Sequence, residues 1–268
     1  MLTESLAKYL AGLFDADGSA SFSFRRQRDQ HEEDLYYTGL NLRLASSAAV
    51  DRDGFVHTLP KLTGMGSISL SGANKQFHTW IVTKRADQEM LMPRLIKHMV
   101  IKAKHFQWQM DVLREKRGQL LTPEQCEEIR RASKISRATQ VGPLKPKNHP
   151  TWAWLAGYLD GDGSYKLKRY VQGGYARWHV SVSAVAHMND ASVLHFLERT
   201  IGGTVRQRNG DNVCIWYRNL GDAERSYALR SLPYLAKHSR LKKWRIDQMI
   251  HHHQQRLSAP TPTGEATV

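Results

Sequence analysis

The sequence predicts a mixed α/β (α+β) protein built from two similar halves. The phrase LAGLFDADGSASF at 10–22 returns as LAGYLDGDGSYKL at 155–167, in the shared frame L-A-G-x-x-D-x-D-G-S. Apolar residues recur at helical spacing before each copy and alternate with polar residues after it. The elements that follow keep the same order in both halves, so the pattern indicates an internal duplication.

Each repeated phrase is predicted to form the end of a helix. Apolar residues keep helical spacing from Leu2 to Leu13, and Thr3 is a candidate N-cap. In the second copy Thr151 can cap the corresponding helix. Gly18 and Gly163 are predicted to end the two helices, because glycine breaks a helix readily.

Each helix is followed by a predicted hairpin. Ala20, Phe22 and Phe24 alternate with serines in the first half, and Tyr165 and Leu167 alternate with polar residues that include lysines in the second. This period of two predicts strands with one apolar and one polar face. Another helix, another hairpin and closing helices follow in each half.

The expected domains are a first repeat at 1–118, a connection with a short helix at 119–149, a second repeat at 150–257 and a disordered tail at 258–268. Thr122 and Pro123 are the predicted start of the connecting helix.

Two sets of conspicuous side chains are interpreted as structural. Trp80, Trp178 and Trp216 are predicted to lie in the core. Three consecutive histidines, His251–His253, are predicted to be exposed, since they point around a helix and cannot converge on one metal ion.

The composition indicates a polyanionic partner. The net charge is +14 and the pI about 9.9. Residues 1–118 carry +4, 119–149 carry +3 and 150–268 carry +7. Two cysteines make no disulfide framework. No apolar run approaches the length of a membrane span and no signal-peptide pattern opens the chain. We therefore expect an intracellular protein with no membrane partner.

Asp-x-Asp-Gly also occurs in calcium loops and in phosphatase nucleophile motifs. A calcium loop that starts at Asp15 or Asp160 would need Glu at position twelve, where Arg26 or Val171 stands. The phosphatase motif follows a buried strand, whereas a capped helix is predicted here. Both interpretations are disfavoured.

The paired phrases resemble the signature of LAGLIDADG homing endonucleases in the monomeric two-repeat form, and the resemblance extends over residues 1 to about 257. It implies two pseudo-symmetric repeats. The motif helices would pack at the centre, and two four-stranded antiparallel sheets would form a saddle over double-stranded DNA.

The resemblance assigns the second acidic position of each motif to catalysis and metal binding, which here means Asp17 and Asp162. The expected cofactor is Mg²⁺, with Mn²⁺ or Ca²⁺ able to occupy the same sites. Gly18 and Gly163 are weaker candidates, through their backbone carbonyls. The first acidic positions are expected to be structural or to support the metal ligands indirectly.

Small residues in the motif helices would let the two backbones approach closely. These candidate interface residues are Ala11, Gly12, Ala156 and Gly157.

The family also has a lysine at the active centre, close to the start of the last helical region of each repeat, and the resemblance implies that this lysine is catalytic. Lys104 is the best match in the first half, with Lys102 next. Lys237 is the best match in the second half, with Lys242 as the alternative.

A polar residue usual in the family at the end of the second strand is missing, because Ala48 and Ala186 occupy those places. Ser46, Ser47 or His187 are possible substitutes.

The candidate DNA contacts are polar and basic positions on the predicted strands. They are Ser19, Ser21, Ser23, Arg25, Asn41, Arg43, Ser69, Ser71, Lys166, Lys168, Tyr170, Arg177, His179, Ser181, Arg206 and Arg208.

The resemblance implies a site-specific endonuclease that acts as a monomer. It would bind a long asymmetric duplex, hydrolyse one phosphodiester in each strand and leave 3′ overhangs, and its gene would lie in an intron. The resemblance also implies that the protein is located with the DNA, in a bacterial or phage-infected cytoplasm or an organelle. The alternative is a noncatalytic nucleic-acid-binding protein such as an intron maturase.

Overall fold

The structure is a computed structural model, and it describes residues 2–27, 34–71, 76–138, 151–173, 175–188, 191–208, 210 and 212–258. The part of the predicted connection that follows residue 138, and the predicted tail beyond Ser258, lie outside these ranges. Within them, no helix combines the length and the apolar character needed to cross a bilayer.

The first half follows the predicted order of helix, hairpin, helix, hairpin and helices. Its elements are α1 (Glu4–Ala16), β1 (Ser19–Arg26), β2 (Tyr36–Ser47), α2 (Phe55–Thr63), β3 (Ser67–Ser71), β4 (Phe77–Val82), α3 (Arg85–Ile96) and α4 (Ala103–Glu115). A two-residue strand, β5 (Leu120–Leu121), and the helix α5 (Pro123–Ala138) follow it.

The second half repeats the order. Its elements are α6 (Trp152–Gly161), β6 (Gly163–Gln172), β7 (Tyr175–His187), α7 (Ala191–Ile201), β8 (Thr204–Gln207), β9 (Val213–Asn219), a 3₁₀ turn (Asp222–Glu224), α8 (Arg225–His238) and α9 (Lys243–Ser258).

Each half builds one antiparallel sheet, with the strand order β1-β2-β4-β3 in the first and β6-β7-β9-β8 in the second. The first sheet has one more strand than predicted. Leu120 and Leu121 pair with Tyr37 and Tyr36, at the part of β2 that β4 does not reach. The chain leaving the first half is therefore attached to that half's sheet.

One face of each sheet packs under the helices. In the first half Leu40, Leu42 and Leu44 of β2 are buried, and Trp80 of β4 is buried with them. Trp216 takes the corresponding place in the second half. Trp178 was wrongly predicted to be a core residue. Its side chain is 36% exposed because it lies near the far end of the β6–β7 hairpin, against His252 of α9.

The histidines of α9 also differ from the prediction. His252 and His253 are buried, and only His251 is exposed. The reason is that α9 lies against β6, so consecutive positions of the helix are covered by neighbouring elements.

The motif helices α1 and α6 pack against each other between the two halves. Both begin as predicted, because the Thr3 and Thr151 hydroxyls accept hydrogen bonds from the backbone of Leu6 and Trp154, each at 3.3 Å. This pair places the ends of the two repeated phrases next to each other.

Candidate functional site

Two glycines permit the close contact of the motif helices. A Cβ atom added to Gly12 would lie 2.0 Å from the carbonyl oxygen of Trp154, and one added to Gly157 would lie 2.0 Å from that of Tyr9. Both distances are far below van der Waals contact. Ala11 and Ala156 are completely buried beside them. The four residues predicted to line the helix interface all lie in this tightly packed region.

Asp15, the first acidic residue of the first motif, organises the start of α4. Its carboxylate accepts backbone hydrogen bonds from residues 100–102 at 2.7 to 3.2 Å and one from the Trp154 indole at 2.9 Å. Burial raises the pKa of Asp15, and these donors oppose that shift. Asp15 therefore stabilises the structure around the neighbouring site, and both of its carboxylate oxygens already accept hydrogen bonds.

Asp160 has the corresponding role in the second half. It accepts backbone hydrogen bonds from residues 240–242 at 2.8 to 3.3 Å, and hydroxyl hydrogen bonds from Ser239 at 2.7 Å and Tyr9 at 2.8 Å. The contacts from Tyr9 to Asp160 and from Trp154 to Asp15 cross between the motif helices. The first acidic positions thus couple the helix pair to α4 and to the start of α9.

The last backbone donor to Asp15 is Lys102, and the last backbone donor to Asp160 is Lys242. The Lys102 ammonium donates to three carbonyl oxygens at the end of the first motif, each at 2.9 Å, namely those of Phe14, Ala16 and Gly18. The Lys242 ammonium donates to the equivalent oxygens of Leu159, Gly161 and Gly163, at 3.2, 2.9 and 2.5 Å. Each cation lies where the carbonyl end of a helix favours positive charge.

The prediction of Lys104 and Lys237 as the lysines nearest the site is corrected by this geometry. Both side chains are exposed, Lys104 in the first turn of α4 and Lys237 in the last turn of α8. Lys102 and Lys242 are the lysines that act electrostatically on the motif carboxylates. A comparison of the two halves could have indicated Lys102 and Lys242, because each follows an apolar residue, buried in the structure, at the start of a long helix.

Gly18 and Gly163 are also placed differently from the prediction. Their carbonyl oxygens face the lysine ammonium groups, and a neighbouring cation disfavours a metal ion at the same oxygen. Neither glycine has a positive φ. Each is needed at its helix end because neighbouring atoms approach its Cα too closely for a Cβ. A Cβ on Gly18 would lie 2.2 Å from the ring of Phe14, and one on Gly163 would lie 2.4 Å from the carbonyl oxygen of Leu159.

Asp17 and Asp162 cap the carbonyl ends of α1 and α6. The Asp17 carboxylate lies against the end of the other motif helix, since a Cβ added to Gly161 would be 3.1 Å from its Oδ2. Desolvation by the surrounding protein raises the pKa of Asp17, while Lys242 and Lys102 oppose the shift. The site therefore holds two acidic groups and two cations in one partly buried region.

The two carboxyl groups interact with each other. Desolvation first, and then the charge of Asp17, raise the pKa of Asp162 to about 6. The two lysines and a hydrogen bond from Tyr158 act in the opposite direction. A desolvated acidic side chain whose ionisation is disfavoured by a neighbouring carboxylate defines a place where an added cation would be stabilised.

The predicted contact positions share the open faces of the two sheets. In β1 and β2, Ser19 pairs with Arg43 and Ser21 with Asn41; in β6 and β7, Lys168 pairs with His179. Exposed or partly exposed side chains occur at Ser19, Ser21, Ser23, Arg25, Asn41, Arg43, Ser69, Lys166, Lys168, Tyr170, Arg177, His179, Arg206 and Arg208. The side chain of Ser71 lies outside the described part of the chain.

Ser181 is the exception among these positions. It is only 1% exposed, and its hydroxyl lies 3.1 Å from Nε2 of His179, which the hydroxyl of Tyr217 also approaches, at 3.2 Å. Ser181 therefore orients His179 instead of facing solvent. Sequence reasoning missed Tyr217, Thr79 and other open-face positions of β4 and β9. The sequence does not give the pairing register of those strands, so their open-face residues could not be identified from it.

The strand register also changes which residues correspond between the halves. Trp80 pairs with Leu44 and Trp216 with Ala184, so the residue equivalent to Ala186 is Ser46. Ala48 lies just beyond β2. The first half thus carries a hydroxyl where the second carries a methyl group, and the predicted equivalence of Ala48 with Ala186 was wrong by two positions.

Comparison with known proteins gives a fold-level result. No family model and no curated protein matches the sequence. Among solved structures, meganuclease I-SmaMI bound to uncleavable DNA has a TM-score of 0.68 at 16% identity, covering 94% of this chain and 91% of that one. LAGLIDADG homing endonuclease I-GzeII with its DNA target gives 0.67 at 14% identity, covering 95% and 93%. LAGLIDADG meganuclease I-AabMI bound to uncleaved DNA gives 0.66 at 13%, covering 94% and 91%.

These similarities confirm the predicted fold. This chain shares the two-repeat architecture of the LAGLIDADG proteins over nearly its whole length. One I-SmaMI structure was determined with a DNA target in the presence of calcium ions; its TM-score is 0.63 at 14% identity, covering 93% of this chain and 97% of that one.

Proposed function

We propose that this chain is a LAGLIDADG homing endonuclease. It binds a long asymmetric DNA duplex as a monomer inside the cell, hydrolyses one phosphodiester in each strand and leaves 3′ overhangs. The observation that carries the proposal is the juxtaposition of Asp17 and Asp162 between two sheets with polar and basic open faces. The shared fold with DNA-bound endonucleases agrees with it. We further propose that an intron carries the gene.

The carboxylate pair fits divalent cations. Its donors are hard oxygen atoms, which suit Mg²⁺ and also Ca²⁺ or Mn²⁺. Desolvation, and then the charge of Asp17, raise the pKa of Asp162, so a bound cation would favour the ionised form of the pair. Since no cluster of three or more protein ligands occurs among the described residues, water and DNA phosphate must supply the other ligands. Bound near a scissile phosphate, such ions activate water and stabilise the leaving oxygen.

The protein's own groups have separate tasks in this proposal. Asp17 and Asp162 hold the cations, while Asp15 and Asp160 fix the start of α4 and the loop before α9. Lys102 and Lys242 keep positive charge beside the developing charge of the transition state, which favours electrostatic stabilisation. Three carbonyl contacts hold each ammonium group, so the lysines act as fixed cations and not as mobile bases.

The open sheet faces are the proposed DNA-binding surfaces. Arginine and lysine side chains on a two-stranded ribbon can reach base edges in the major groove and phosphates at its rim. A single chain supplies both faces, so two different half-sites can be recognised without a second subunit. This explains why the target is expected to be asymmetric.

Cleavage of a plasmid tests the proposal directly. The plasmid should carry the sequences that flank this reading frame, joined without it, since that junction is the expected target. With Mg²⁺ the protein should convert supercoiled plasmid to linear DNA, and EDTA should prevent this. Tight binding without cleavage at any Mg²⁺ concentration would favour the noncatalytic alternative.

The two half-sites should differ in stringency. The open face of the second half exposes Lys166, Lys168, Arg177, Arg206 and Arg208, whereas the first exposes mainly serines with Arg25 and Arg43. Phosphate contacts increase the salt dependence of binding, and arginine contacts to bases contribute about 1–3 kcal/mol of discrimination each. We expect substitutions in the half-site under the second half to weaken binding more. Single-base substitutions across the target, measured at two salt concentrations, test this, and equal losses on both sides would contradict it.

A further inference from the structure

We propose that the connecting helix α5 completes a pocket for a DNA backbone phosphate beside the carboxylate pair. The inference rests on the proposed function, because it assigns the pocket's ligand to the same duplex. It assigns a binding role to His105 and Arg137, which lie outside the sheet faces and the motif.

The pocket is a cavity of about 170 Å³ where three elements meet. These are the start of β1, the first turn of α4 and the last turn of α5. Its lining residues are Gly18, Ser19, Ala20, Lys102, His105, Phe106 and Arg137. Gly18 and Ser19 directly follow Asp17 in the chain, so the cavity adjoins the candidate metal site.

The charges around the cavity favour an anion. Lys102 and Arg137 contribute cationic side chains, and no carboxylate is among the lining residues. Asp15 accepts the N–H groups of residues 100–102, just before α4. The first turn of the helix itself has no side-chain cap, so the backbone N–H groups of residues 103–105 add positive potential at the same place. A cation would be repelled here, whereas a phosphate group would gain from every one of these contributions.

His105 gives the independent indication of a ligand. Its side chain is only 3% exposed, its Nδ1 lies 3.1 Å from the hydroxyl of Ser136, and its Nε2 is buried without a hydrogen-bond partner. Leaving a buried polar atom unpaired is costly. Burial, and then the charges of Arg137 and Lys102, lower the pKa of His105 to about 4, so the neutral ring has one N–H group to donate.

A DNA phosphate is the anion that this location selects. Ser19, which lines the cavity, is also an exposed position on the proposed DNA-binding face of β1. A strand lying on that face next to Asp17 would bring a phosphate to the mouth of the cavity. The pocket would give the first half, whose sheet has few cations, an additional contact with the DNA backbone.

Arg137→Gln is the test variant and Arg131→Gln its control. Both side chains are exposed on α5, and Arg131 lies six positions earlier, about 120° around the helix axis. Because neither residue is buried, both variants should melt at the wild-type temperature. The probes are a 30-bp duplex of arbitrary sequence in EDTA, followed by anisotropy at several KCl concentrations, and inorganic phosphate, followed by ¹⁵N NMR of the His105 ring.

The proposal expects Arg137→Gln to weaken duplex binding about tenfold and to reduce the salt slope by about 0.9, the value of one phosphate contact, with Arg131→Gln unchanged. The His105 ring nitrogen signals should shift when duplex or phosphate, but not chloride, is added to the wild type. That shift should be lost in Arg137→Gln.

Equal effects of the two substitutions would overturn the proposal, as would duplex binding that leaves the His105 signals unmoved. The proposed function would survive either result. If no duplex binds at all, the proposed function fails, and inorganic phosphate still decides whether the pocket takes an anion.

Discussion

Gly12→Ala and Gly157→Ala proteins are expected to lose most of their folding stability. The added Cβ would lie 2.0 Å from a backbone carbonyl oxygen of the opposite helix in each case. Backbone atoms in the middle of a packed helix cannot move aside as a flexible side chain can, so α1 and α6 must separate. We expect a cost of about 3 kcal/mol or more, at the upper end for overpacking, and a larger cost for valine.

Gly39→Ala is the matched control. It makes the same chemical change on the open face of β2, where the new Cβ would meet the rotatable Ser23 hydroxyl at 2.8 Å and the Ser23 carbonyl oxygen at an ordinary contact distance of 3.6 Å. Urea unfolding of the three variants measures the difference. Similar stabilities for Gly12→Ala, Gly157→Ala and Gly39→Ala would mean that the motif helices do not approach as described.

Asp162→Asn is expected to stabilise the metal-free protein at pH 8 while removing its response to metal. The folded state raises the pKa of Asp162 to about 6, so the carboxyl group keeps its proton up to a higher pH than it would in the unfolded chain. Folding stability contributed by this group therefore falls as the pH rises from about 4 to 6 and stays lower above that range. Asparagine has no such cost, and the gain at pH 8 is up to about 3 kcal/mol.

Two comparisons distinguish this effect from a general change in packing. At pH 4 the advantage of Asp162→Asn should nearly vanish, because the wild-type carboxyl group is then neutral. Millimolar Mg²⁺ at pH 8 should raise the melting temperature of the wild type but not that of the variant. In the wild type this metal effect should weaken as the pH falls below about 6. An equal gain at pH 4 and pH 8 would show that the cost of ionising a desolvated carboxyl group beside Asp17 is not its cause.

The parts of the fold that were predicted correctly depend on local signals. Thr3 and Thr151 cap their helices through residues three positions away, and the strand faces follow from a period of two. Leu120 and Leu121 were missed because a two-residue strand has no period, and its partner lies more than 80 residues earlier.

The errors in the site have the same origin. Lys102 and Lys242 are positioned by backbone contacts with Asp15 and Asp160, which are distant in sequence. The apolar residue before each lysine is a local indication, but the choice against Lys104 and Lys237 is decided by these tertiary contacts. Likewise, the correspondence of Ser46 with Ala186 depends on strand pairing. The burial of Ser181 depends on the orientation of the His179 side chain. The motif carboxylates were identifiable because the repeated phrase itself marks them.

Linearisation of the target plasmid by Asp17→Asn and Asp162→Asn proteins is the most direct test of the carboxylate pair as the cleavage centre. With Mg²⁺, each substitution should reduce double-strand cleavage by at least about 100-fold, since each removes a charge that holds a cation at the scissile phosphate. Binding of the same duplex should persist, because affinity comes from the basic sheet faces. Linear DNA produced by either variant at the wild-type rate would contradict the account.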